Sequence, residues 1–77
     1  MLEIADIELD LSGLTCPLPL LKTKQSLNNM TSGQIVKVIA TDPGSERDFQ
    51  VFSEQSGNRL LEFKRKEDKF VYWIKKN

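Results

Sequence analysis

From Ala5 to Leu11 the chain alternates apolar and acidic positions, with Ala5, Ile7, Leu9 and Leu11 on one parity and Asp6, Glu8 and Asp10 on the other. A period of two marks a strand with one face buried, and the pattern predicts a first strand over 4–11 in which Ile4 is out of phase. Leu20, Thr23, Leu27 and Met30 then recur at helical spacing, so an amphipathic helix is expected, entered through Cys16-Pro17-Leu18-Pro19 and closed by Gly33. The run QIVKVIAT over 34–41 is β-branched and fits a buried central strand, which Asp42-Pro43-Gly44 breaks. Ser45 and Asp48 have the spacing of a capping box, Phe49 and Phe52 form a short apolar stripe, and Gly57 stands where a brief second helix would stop. Residues 59–66 and 69–76 predict a hairpin around Glu67-Asp68, with Phe70, Tyr72 and Ile74 on one face and Val71 and Trp73 on the other.

The predicted order is therefore βαβαββ. Two helices cannot cover both faces of a four-stranded sheet, and right-handed crossovers bring both to the same side. The expected class is α+β: a two-layer α/β sandwich with a four-stranded mixed sheet and two helices on one face. The other sheet face stays partly open, with Trp73, Val71 and hairpin cations as its candidates. An open face of this kind can stack single-stranded nucleic acid, but only one aromatic is available there, which favours a packed Trp73.

Length and composition narrow the chemistry. At 77 residues the chain is expected to be a single domain, 1–77, near the size at which a core alone supplies only about 3–5 kcal/mol. One Cys excludes an internal disulfide. The absence of His removes the commonest metal ligand and the usual general base, so neither a metal site nor a Cys/His dyad is expected. The first residues carry acids rather than a basic segment before an apolar run, and no stretch is long enough for a membrane span. A cytoplasmic location follows as the expectation. Net charge is zero, which with the small size leaves a monomer as the default. The charge is uneven: residues 1–58 hold eight acids and four bases, residues 59–77 three acids and seven bases. The bias fits a surface for an anionic partner or, as the plainer reading, a solvated outer strand face whose lysines discourage edge pairing.

Cys16 is the candidate reactive residue. A residue before proline is pushed out of the helical region, so Cys16 is expected as the N-cap and Pro17 as the first helical residue. Pro17 and Pro19 remove two helix-start donors and leave the amides of Leu18 and Leu20 to face the sulfur. On this reading the helix dipole and those donors depress the thiol pKa. Pro17, Leu18 and Pro19 frame the site, and Gly13 lets the preceding loop bend. A core cysteine would need no such frame.

These residues resemble the TusA (SirA-like) sulfur carriers. The resemblance spans Leu-Asp-Leu-Ser-Gly-Leu (9–14), Cys16-Pro17-Leu18-Pro19, Asn29-Met30 with Gly33, Thr41-Asp42-Pro43-Gly44 with Arg47-Asp48, and Tyr72, Ile74 and Lys76. It implies a βαβαββ sandwich and a carrier that takes sulfane sulfur as a persulfide on Cys16 from a cysteine desulfurase. The sulfur would pass to an acceptor sulfurtransferase, toward tRNA 2-thiouridine synthesis, with no cofactor and no direct nucleic-acid contact. It also implies partner docking through Asp42, Arg47 and Asp48, with Lys22 and Lys24 as nearby bases. Leu18 stands where family members often carry an acid, which makes the rim more apolar. Such a chain is a relay rather than a complete turnover enzyme. The alternatives are an adaptor that binds partners without sulfur chemistry and, last, an RNA-binding module on the open sheet face.

Overall fold

The computed structural model describes residues 5–77, so Ile4 and the start of the predicted first strand lie outside the described residues. The elements are β1 (Ile7–Leu11), α1 (Leu18–Asn28), β2 (Ile35–Ala40), α2 (Ser45–Ser56), β3 (Arg59–Lys66) and β4 (Lys69–Lys75). They form one mixed sheet in the order β1-β2-β4-β3, with β1 parallel to β2 and the other two pairings antiparallel. The order and class match the expectation.

The alternating residues of β1 behave as their pattern requires: Glu8 and Asp10 are exposed, while Ile7, Leu9 and Leu11 turn toward the core. β2 is central, and Val36, Val38 and Ala40 on its inner parity are fully buried. Its outer parity, Ile35, Lys37 and Ile39, is only half-buried, so the strand is covered by helices on one side alone. Leu27 of α1, Met30 just past its end, and Phe49 and Phe52 from α2 meet Phe70, Tyr72 and Ile74 of β4 over that inner face. Burying side chains of this size is worth about 1.5–3 kcal/mol each. Phe49 and Tyr72 pack edge to face with centroids 4.4 Å apart.

β3 resolves a local conflict in its own sequence. Strict alternation through Leu60-Leu61-Glu62-Phe63 would send Glu62 inward; a register shift between Leu60 and Glu62 instead sets Leu60 opposite Ile74, Glu62 opposite Trp73 and Phe63 opposite Tyr72. The extra residue keeps both large apolar side chains on the core side.

Several local expectations are corrected. α1 stops at Asn28, and Gly33 belongs to the turn before β2, where its φ of +91° places its N–H on the Lys76 carbonyl. Ser45 and Asp48 form no capping box: Gly44 is the N-cap of α2 and no side chain caps it. Ser45 is drawn inward, because its hydroxyl lies 2.7 Å from the buried Tyr72 hydroxyl and satisfies it. Gly57 does end α2, in the left-handed conformation at φ +80°.

The uncovered sheet face is less open than expected. Trp73 is 4 % exposed, on a strand inside the sheet, with Lys37 Nζ and Lys64 Nζ 5.6 and 5.7 Å from its ring centroids. The lysine stems cover the indole and keep their charges in water. The aromatic on which a nucleobase would stack is therefore already capped.

Candidate functional site

Because β1 and β2 run parallel with Leu11 beside Ala40, the loops that leave their C-terminal ends emerge side by side. Residues far apart in sequence are thereby brought to one edge of the sheet, the place where open α/β sheets gather their functional groups. Gly13, at φ +84°, donates its N–H to Thr41 Oγ1 at 2.9 Å and ties the two loops together. Ser12 is held by Asp10, whose Oδ1 accepts bonds from the Ser12 amide and hydroxyl at 3.1 and 2.6 Å. Those bonds hold the Asp10 carboxyl below its ordinary pKa.

Cys16 is exposed and sits one residue before the helix boundary rather than on it: Pro17 is the N-cap, and α1 begins at Leu18 with Pro19 in its first turn. The cysteine is non-helical, as the following proline requires, but the Leu18 amide does not turn to the sulfur as expected. The Leu18 N–H donates to the Thr15 carbonyl at 2.9 Å, closing a turn across Cys16 and Pro17. Pro19 is buried, and its carbonyl accepts the Thr23 hydroxyl at 2.8 Å, which fixes the first turn of α1 against the core.

The sulfur's partner comes from the other loop and helix. Cys16 Sγ–H donates to Asp48 Oδ2 at 3.1 Å, across 32 residues of sequence. The Asp48 hydrogen bond, then desolvation and the negative charges of Asp48 and Asp42, push the Cys16 pKa up from its ordinary value. The expected depression is thus reversed: a carboxylate that accepts the thiol proton stabilises the neutral form, and no helix amide offsets it. The ligand atoms of Cys16, Asp42 and Asp48 lie within 4.8 Å of one another. A sulfur with two carboxylates is a donor set a divalent cation can share, although the thiol proton here occupies the space between two of its members. Asp42 Oδ2 is buried without a hydrogen-bond partner.

The remaining predicted residues fall around this centre unevenly. Leu18 and Leu21, one helical turn apart, are exposed large apolar side chains, as is Val51 one turn beyond Asp48 on α2. Arg47 is exposed, as are Lys22 and Lys24, but the Lys24 ammonium rests 5.6 Å from the Phe52 ring and so bridges the two helices. Thr41 and the Ser45–Tyr72 pair were not anticipated as supports of the site. Their role as supports becomes legible only once the tertiary structure sets Thr41 beside Gly13 and Ser45 against Tyr72 of β4.

The chain is similar to known proteins in sequence and in fold. The family model described as sulfurtransferase TusA matches residues 7–76. The sulfur carrier protein TusA of Allochromatium vinosum is 57% identical over 72 residues, covering 94% of this chain and 95% of that protein. The putative sulfur carrier protein YrkI of Bacillus subtilis is 42% identical, covering 94% and 96%. In three dimensions the chain is similar to the crystal structure of a SirA-like protein from Desulfitobacterium hafniense, with a TM-score of 0.78 and 25% identity over 90% of this chain and 95% of the other. A match of this extent, in sequence and in fold, makes the chain a member of the TusA family of sulfur carriers.

Proposed function

We propose that the chain carries sulfane sulfur as a persulfide on Cys16, taking it from a cysteine desulfurase and giving it to an acceptor sulfurtransferase that serves tRNA 2-thiouridine synthesis. The observation that carries the reading is that its one thiol is exposed at the proline-framed turn before α1. In the loading step Cys16 Sγ attacks the terminal sulfur of the donor's persulfide. The donor's S–S bond breaks, a new Sγ–S bond forms, and the Cys16 proton ends on the donor sulfur, so no electrons are gained or lost overall. Discharge is the same exchange on the acceptor's cysteine. With one Cys in the sequence, no internal disulfide can intercept the cargo.

The exposed Leu18 and Leu21 give a donor or acceptor an apolar landing beside the sulfur, with Lys22, Arg47 and the carboxylates of Asp42 and Asp48 at its rim. The test is intact-mass spectrometry after incubation with a cysteine desulfurase and cysteine. Wild type gains one sulfur that a reductant removes, and Cys16→Ser gains none. A wild type that, like Cys16→Ser, gains no sulfur with any desulfurase of the host would reject the reading in favour of an adaptor without sulfur chemistry.

A further inference from the structure

The hydrogen bond between Cys16 and Asp48 runs against what a simple nucleophile requires. A thiol built only to attack would be paired with a cation or with helix amides, which hold S⁻. Here the groups facing Sγ are the carboxylates of Asp48, from α2, and Asp42, from the β2–α2 loop. Among the described residues neither carboxylate is neutralised by an ion pair; Arg47 on α2 and Lys22 and Lys24 on α1 make none with them. The site is therefore electrostatically biased, and the bias acts differently on its two chemical states.

We propose that Asp48 sets the transfer potential of the sulfur on Cys16, favouring the empty thiol over the loaded persulfide so that cargo is passed on rather than retained. The inference rests on the sulfur-carrier reading. In the empty chain Sγ–H gives its proton to Asp48 Oδ2 in a charge-assisted bond, which stabilises that state. A persulfide is more acidic than the parent thiol, and its terminal sulfur is largely anionic at neutral pH. In the loaded chain that anion stands beside two carboxylates, has no proton to donate to Asp48, and is raised in energy. For the exchange of R–S–SH with Cys16–SH, giving R–SH and Cys16–S–SH, both effects pull the equilibrium toward the empty carrier. Asp48 is thus a positioning residue for the direction of flow, and the same bond shields the waiting thiol from adventitious oxidants that need a thiolate.

The experiment equilibrates wild type, Asp48→Asn and Asp48→Glu with a fixed ratio of glutathione persulfide to glutathione at pH 7 and reads the loaded fraction by intact mass. The pH profile of iodoacetamide alkylation, measured on each protein alone, reports the thiol titration. Asp48→Asn keeps the shape and removes the charge, so its loaded-to-empty ratio rises about five-fold, the scale of one exposed charge-assisted bond, while its alkylation midpoint moves to lower pH. Asp48→Glu returns both toward wild type. Should Asp48→Asn not fold, Asp42→Asn moves both readouts the same way by a smaller amount. An unchanged or lower loaded ratio in Asp48→Asn overturns the inference, even if the alkylation midpoint shifts, and so does an unchanged midpoint. If no protein takes sulfur from any donor while the midpoint still shifts, the carrier reading has failed and the inference falls with it. That outcome is distinct from one in which all three proteins load equally.

Discussion

Ser45→Ala is the sharpest probe of how the fold supports the site. Ser45 is the first residue of α2, is 2 % exposed, and its hydroxyl lies 2.7 Å from that of the fully buried Tyr72. Truncation removes one hydroxyl and leaves the other without a partner in the core, which costs about 1–3 kcal/mol. For a domain of 60–100 residues each kcal/mol lowers the melting temperature by about 4–8 °C, so circular dichroism melts should register the change clearly. Tyr72→Phe is costly for the same reason, because it strands Ser45. The double variant, which removes both hydroxyls, should cost less than the sum of the singles. Additive singles, or a Ser45→Ala melt within 1 °C or so of wild type, would refute the claim that this pair is a satisfied buried hydrogen bond. The pair also has a pH signature. Burial, together with the nearby Glu46, Asp42 and Asp48 charges, pushes the Tyr72 pKa up to about 12 from 10.0, against the Ser45 bond, which acts to lower it. The folded state holds the phenolic proton more tightly than the unfolded one, so the contribution of Tyr72 is complete below pH 10 and is lost as pH rises toward 12. Tyr72→Phe should flatten that decline.

Other consequences of the geometry can be measured directly. Gly57→Ala forces a Cβ into the left-handed conformation at φ +80° and to 2.9 Å from Asn77 Nδ2; the terminal side chain can yield, so the backbone term remains, and chemical denaturation should show a loss of about 1–2 kcal/mol. A loss below a few tenths of a kcal/mol would mean that another residue ends α2. Lys37→Ala and Lys64→Ala each uncover part of the Trp73 indole, so its fluorescence emission should move to longer wavelength in both variants and furthest in the double variant. An unmoved spectrum would show that the lysine stems do not shield the ring.

Much of this architecture is legible in local pattern because the pattern is itself the physical cause. The alternation at Ile7, Leu9 and Leu11 and the parity of Phe70, Tyr72 and Ile74 each specify a face, and an apolar face has to be buried. Gly57 could be placed for a comparable reason, since a helix end needs a residue that tolerates positive φ. Patterns that admit two outcomes were decided elsewhere. Ser45 and Asp48 have capping-box spacing, but Tyr72 competes for the serine hydroxyl from β4 and Cys16 supplies the proton that Asp48 accepts. Leu60 to Phe63 breaks alternation, and only pairing with β4 shows that an extra residue restores it.

The electrostatics of the thiol mark the boundary most clearly. The sequence by itself determined that Cys16 would be non-helical, exposed by its proline frame and without imidazole, because those properties follow from the residue and its neighbours along the chain. It could not determine the charge that the sulfur meets. That depends on β1 and β2 being parallel neighbours, which sets the loop carrying Cys16 against the loop and helix carrying Asp42 and Asp48. A helix start read alone predicts a lowered thiol pKa; the tertiary structure raises it, because a carboxylate that accepts the thiol proton at 3.1 Å stabilises the neutral form, while the Leu18 amide is engaged by the Thr15 carbonyl.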